Sequence, residues 1–131
     1  MTLSVLICDD IASVQSMIRR MLEREGMVAG TAGTTSEMLA SYRAERPDVV
    51  LLDYLMPGAN GLSHLRDLLV LDPDAIVIMC SGTGDPMVRA EALAIGAAAW
   101  VLKPIYPLML VDQLRTLVNA RRRGISGRQS A

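Results

Sequence analysis

Four short pieces of this chain carry residues that can do chemistry together: Asp9-Asp10, Asp53, Ser81-Gly82 and Lys103-Pro104. Each follows an apolar run. The clearest is Val49-Val50-Leu51-Leu52-Asp53, where four apolar residues end in a carboxylate and a loop with Pro57 and Gly58 follows. Three carboxylates brought to one place repel each other and need a counterion. An all-oxygen set without imidazole or thiolate is hard and suits Mg²⁺ or Mn²⁺. Lys103 offers a second positive charge, Ser81 a hydroxyl donor, and Gly82 a backbone that a ligand can approach. A carboxylate flanked by a metal and an ammonium can attack phosphorus and form an acyl phosphate. The cations then neutralise charge on the group in transfer. Of thirteen basic residues twelve are arginine, and Lys103 is the one lysine. That usage points to a place where a compact ammonium is wanted rather than a planar guanidinium.

These pieces need a scaffold that gathers them, and the periodicity supplies one. Strands are predicted over Leu3–Cys8, Met27–Ala32, Val49–Asp53, Ala75–Cys80 and Ala98–Leu102. Helices are predicted over Ile11–Glu25, Glu37–Arg46, Leu62–Leu71, Met87–Ile95 and Leu108–Arg121. Nearly continuous apolar strands are those of a sheet covered on both faces. Five strands alternating with five helices call for an α/β fold, a (βα)5 doubly wound parallel sheet. Right-handed crossovers favour the flavodoxin-like strand order 2-1-3-4-5. That order sets the first, third, fourth and fifth strands side by side, with all four chemical pieces at their carboxyl ends. Open α/β sheets bind ligands at that edge.

Other readings of the single residues stand beside this one. Asp10 is also placed to cap the first helix, Ser81 to serve a turn, and Lys103 to be a solvated charge. Cys8 and Cys80 end strands that flank the Asp53 strand, roughly 9–10 Å apart, too far for a disulfide. His64, the only histidine, is predicted on the surface of the third helix. On the first helix Val14, Met17 and Met21, with Leu22 beside them, are predicted to form the core stripe, leaving Ile11, Gln15 and Ile18 on a separate face. On the last helix Leu110, Leu114 and Leu117 are predicted core, with Leu108, Met109 and Val111 turned to a partner or a second copy.

With 131 residues, 51% hydrophobic, the chain has the size and material of one domain. A net charge of −1 gives no basic body for nucleic acid. No apolar run approaches the ~20 residues of a membrane span. The first residues run straight into Asp9-Asp10, unlike a signal peptide, so a cytoplasmic location is expected. One domain is expected over 1–123, with 124–131 a disordered tail or a truncated linker.

Cys8-Asp9-Asp10, Leu52-Asp53-Tyr54-Leu55-Met56-Pro57-Gly58 with Gly61, Ser81-Gly82, Gly96-Ala97 and Lys103-Pro104 together closely resemble the receiver domain of two-component response regulators. The resemblance covers Leu3 to about Ala120. It implies that Asp53 accepts a phosphoryl group from a histidine kinase or histidine phosphotransfer protein. It implies a metal held by Asp10, Asp53 and the Leu55 carbonyl directly, and by Asp9 through water. Lys103 and Ser81 would contact the phosphoryl group, Trp100 would sit at the switch position, and Pro104 would follow a cis peptide. The first helix would meet the phosphodonor, and a downstream protein would bind the switched surface. Such a domain catalyses its own phosphorylation and dephosphorylation and is not a conventional enzyme. The alternatives are an N-terminal receiver fragment of a longer regulator, a scaffold without phosphorylation, a flavin-binding module, and a haloacid-dehalogenase-like phosphatase. The phosphatase would need a second Asp two residues after Asp53, where Leu55 stands. The flavin module would need its phosphate loop after the first strand, where Asp9-Asp10 stands.

Overall fold

The computed structural model describes residues 2–57 and 61–124. Five strands and five helices alternate: β1 (Ser4–Cys8), α1 (Ala12–Arg24), β2 (Val28–Ala32), α2 (Thr35–Glu45), β3 (Val49–Asp53), α3 (Gly61–Leu71), β4 (Val77–Ser81), α4 (Pro86–Ile95), β5 (Ala99–Leu102) and α5 (Pro107–Arg122). All pairings are parallel and the sheet order is β2-β1-β3-β4-β5, as expected. Gly58 and Asn60 of the loop after β3, and the tail from Ile125, lie outside the described residues.

The strand residues alternate between two cores. Val5, Ile7, Val49, Leu51, Ile78 and Cys80 face α1 and α5. Leu6, Cys8, Val50, Leu52, Val77 and Met79 face α2, α3 and α4. Every residue of β3 and β4 is buried, which is why both read as unbroken apolar runs. The edge strand β2 buries only Ala29 and Ala32, and its exposed Val28 and Gly30 account for its weak signal.

Local chemistry ends the helices where the residue types direct. Gly26, at φ +79°, takes the left-handed turn after α1 that a side chain resists. The Thr34 hydroxyl accepts from the Glu37 amide at 3.2 Å and caps α2. Pro86 and Pro107 occupy the first turns of α4 and α5, where a missing amide costs nothing.

The facing of two helices departs from the expectation. On α1 the deep core residues are Ile18 and Leu22, while Met17 is 51% exposed and Val14 and Met21 are half-buried. Ile18 therefore belongs to no docking patch; of that trio only Ile11 is exposed. Met17, Met21, Val14, Ile18 and Leu22 form one broad apolar stripe on α1, so periodicity leaves its centre open, and packing against β1 and α5 selects the Ile18 side. On α5, Val111 is buried with Leu110, Leu114 and Val118 and is no partner residue. Leu117 is only half-buried, whereas Leu108 and Met109 are exposed as expected. His64 is a further correction: it is fully buried in α3.

Candidate functional site

The strand order delivers the ends of β1, β3, β4 and β5 to one edge, and with them Asp9, Asp53, Ser81 and Lys103. Asp53 is the last residue of β3, opposite Cys80, and is 6% exposed. Asp9 follows β1 and is buried, and Asp10 beside it is exposed. One carboxylate oxygen from each of Asp9, Asp10 and Asp53 lies within 4.8 Å of the others. Neighbouring oxygens around an octahedral magnesium stand about 3 Å apart and opposite ones about 4 Å, given bonds of about 2.1 Å. The donor set and its spacing therefore fit a hard divalent cation, with room for waters.

Lys103 reaches back from the end of β5. Its ammonium lies 3.2 Å from Asp9 Oδ2 and 3.3 Å from Asp53 Oδ1. The Lys103–Pro104 peptide is cis. Burial alone would lower the lysine pKa, but the Asp53 and Asp9 carboxylates more than offset this and raise it, so the side chain stays an ammonium. Burial pushes the Asp53 carboxyl above its ordinary value; Lys103 pulls it down and Asp9 raises it again. A buried carboxylate held by one shared ammonium gains from a second cation.

The remaining ligands of the acidic residues are backbone amides. Asp9 Oδ1 accepts from Ile11 N at 2.9 Å, and Asp53 Oδ1 accepts from Leu55 N at 3.3 Å. Asp10 does not cap α1: the N-cap is Ile11, and no side chain bonds there. The Ser81 hydroxyl accepts from Thr83 N at 3.0 Å, so it also serves the turn after β4. Its own proton remains available for donation. A Cβ on Gly82 would meet nothing within 4 Å, so the fold does not itself require glycine there.

Two side chains near this edge have roles that periodicity did not reveal. Gln15 of α1 is half-buried, and its amide donates to the Asp9 carbonyl and, at 3.4 Å, to the Ala32 carbonyl. It ties the end of β1 to the end of β2. Its place about one and a half turns beyond Asp9 was the only signal available. Trp100 is buried in β5 among the residues that face α3 and α4. Its ring centroid is 5.8 Å from that of Tyr54, the residue after Asp53. Its indole Nε1 is buried without a protein hydrogen-bond partner.

The model of the response regulator receiver domain matches residues 5–115. The chain belongs to this family. The receiver domain is 34% identical over 111 residues to the chemotaxis protein CheY of Thermotoga maritima, covering 84% of this chain and 92% of that protein. It is 32% identical over 119 residues to the C4-dicarboxylate transport transcriptional regulatory protein DctD of Rhizobium meliloti, covering 91% of this chain but 26% of that protein. Among solved structures, the CheY-like receiver domain protein of Methanospirillum hungatei superposes with a TM-score of 0.88 at 26% identity, over 95% of this chain and 99% of that one. The same module thus matches a protein of similar length and the receiver-sized portion of a longer regulator. The family is one of signalling receivers in two-component systems rather than conventional enzymes. No helix among the described residues is long and apolar enough to cross a membrane.

Proposed function

We propose that this receiver accepts a phosphoryl group on Asp53, with magnesium or manganese as cofactor, and changes its surface for a downstream protein. The observation that carries the reading is the single ammonium shared by Asp9 and Asp53 at an edge where Asp10 completes a cation-sized oxygen set. Asp10, Asp53 and the Leu55 carbonyl would bind the metal directly, and Asp9 through water. The bound metal supplies positive charge against the incoming phosphoryl oxygens. An Asp53 carboxylate oxygen attacks phosphorus, the P–N bond of a partner's phosphohistidine breaks, and the imidazole leaves with the bond's electrons. Lys103 moves from the carboxylate pair to the phosphoryl oxygens. Ser81 turns its hydroxyl proton to the same group, and the Gly82 backbone lies beside it. Trp100 then repacks as the loop after β4 draws inward.

The donor is a histidine kinase or histidine phosphotransfer protein, meeting the exposed start of α1 around Ile11. Leu108 and Met109, exposed on α5, offer a surface for a partner or a homodimer. Residues 1–123 act as the receiver unit in the cytoplasm, and 124–131 as tail or linker. A second reading, an N-terminal receiver of a longer regulator, is favoured by the likeness to one portion of DctD. Acetyl phosphate with Mg²⁺ tests the chemistry: it should label the wild-type chain but not Asp53→Asn. Equal labelling of that variant would remove Asp53 as the nucleophile.

A further inference from the structure

His64 is the chain's only histidine, and the site above makes no use of it. Its side chain is completely buried in α3, yet both ring nitrogens have partners. Nε2 lies 3.0 Å from the backbone carbonyl of Met56. Nδ1 is hydrogen-bonded to the hydroxyl of Thr35, in the first turn of α2. A carbonyl oxygen can only accept, so Nε2 carries the proton. In the neutral ring Nδ1 is then the acceptor, and Thr35 donates to it. The imidazole is thus fixed in one tautomer and bonded at both ends. It spans three separate pieces: α2, α3 and the loop that leaves Asp53. The Met56 side chain is itself 2% exposed, so its peptide is held by packing as well as by the ring. One residue earlier, Leu55 N donates to Asp53 Oδ1 while the leucine side chain stands in solvent. Packing of its own side chain therefore does not fix Leu55; the anchored residues beside it do.

We infer that His64 is a positioning residue that clamps the Asp53–Met56 segment and thereby sets the Leu55 backbone against the carboxylate edge. The consequence for the metal rests on the proposed function; the clamp itself is read without metal. Removing the ring frees the Met56 carbonyl and loosens the Leu55 amide that holds Asp53.

NMR of the metal-free protein tests this. With one histidine, the ring nitrogens give a single unambiguous set of signals. The expected pattern is a pure Nε2–H tautomer with a slowly exchanging ring proton; fast averaging of two tautomers would overturn the clamp. In His64→Leu the Leu55 amide should exchange at least tenfold faster. The Val50 amide, bonded to Ile76 O in the sheet, should not change and serves as the control for a merely structural loss. His64→Gln keeps an N–H that can reach Met56 and should restore Leu55 protection to within threefold of wild type. If His64→Leu does not fold, Thr35→Val removes only the Nδ1 partner and should still speed Leu55 exchange threefold or more. Unchanged Leu55 exchange in a folded variant overturns the proposal. With Mg²⁺ added, His64→Leu should bind at least fivefold more weakly than wild type; equal binding would end the metal-positioning role. If the clamp signals hold but wild type shows no response to Mg²⁺, the metal reading falls and the loop clamp stands.

Discussion

The ammonium of Lys103 lies 3.3 Å from Oδ1 of Asp53, although β4 separates the strands that carry the two residues. Four carbons of lysine side chain cross the end of β4 to make the pair. The same nitrogen serves Asp9, so one cation balances two buried carboxylates. Lys103→Met leaves both unbalanced. In metal-free protein near neutral pH it should cost about 1–3 kcal/mol, less than a fully buried pair because Lys103 is partly exposed. Mg²⁺ bound as proposed would replace part of the lost charge, so it should raise the melting temperature of Lys103→Met more than that of wild type. Thermal unfolding with and without Mg²⁺ checks this, and an equal rise in both proteins would count against a shared charge site.

The chain has one tryptophan, and its ring touches Tyr54, next in sequence to Asp53. A change at the carboxylate edge should therefore reach the indole through this contact. Trp100 emission should fall, saturably, on adding Mg²⁺ or beryllofluoride. A flat titration would speak against both cation binding and movement of Trp100.

Both cysteines are free and buried. Burial raises the pKa of Cys8 far beyond its ordinary range, and burial pushes Cys80 up to about 12, so neither is a thiolate at neutral pH. Ellman's reagent at pH 8 should find no reactive thiol in native protein and two after denaturation. Rapid reaction of one native thiol would show an opening of the sheet edge.

At the opposite end of the molecule the Tyr42 hydroxyl donates to Asp72 Oδ2 at 2.6 Å. That bond is the main reason the Asp72 carboxyl sits below its ordinary pKa; the Asp74 amide and Arg46 add to it against some desolvation. A depressed carboxylate stabilises the fold above its unfolded pKa of about 3.9 and loses that contribution as pH falls through the lower folded value. Tyr42→Phe should cost about 1 kcal/mol at neutral pH. The gap from wild type should narrow below about pH 4. Urea unfolding at several pH values measures it, and a gap that widens toward acid would reverse the assigned sign.

The site's outline was legible because its residues sit at strand ends, where an apolar run stops at a charge. β3 and β4 are buried on both faces, so they announce themselves, and the parallel order then brings Asp9, Asp53, Ser81 and Lys103 together. The helix facings were less legible. In α1, Met17 and Ile18 are adjacent and both apolar, and a helix turns by 100° per residue, so either can lead the stripe. Val111 presents the same ambiguity in α5.

Local pattern alone determined the elements and the four chemical pieces, since apolar periodicity and turn residues act over a few positions, and the handedness of the crossovers then favoured the doubly wound order. Tertiary structure alone decided that Ile18 and Val111 are core, that Gln15 joins two strand ends, and that His64 lies buried between Thr35 and Met56. Those outcomes depend on hydrogen bonds and packing between segments far apart in the chain, such as Thr35 and His64, which no local period encodes.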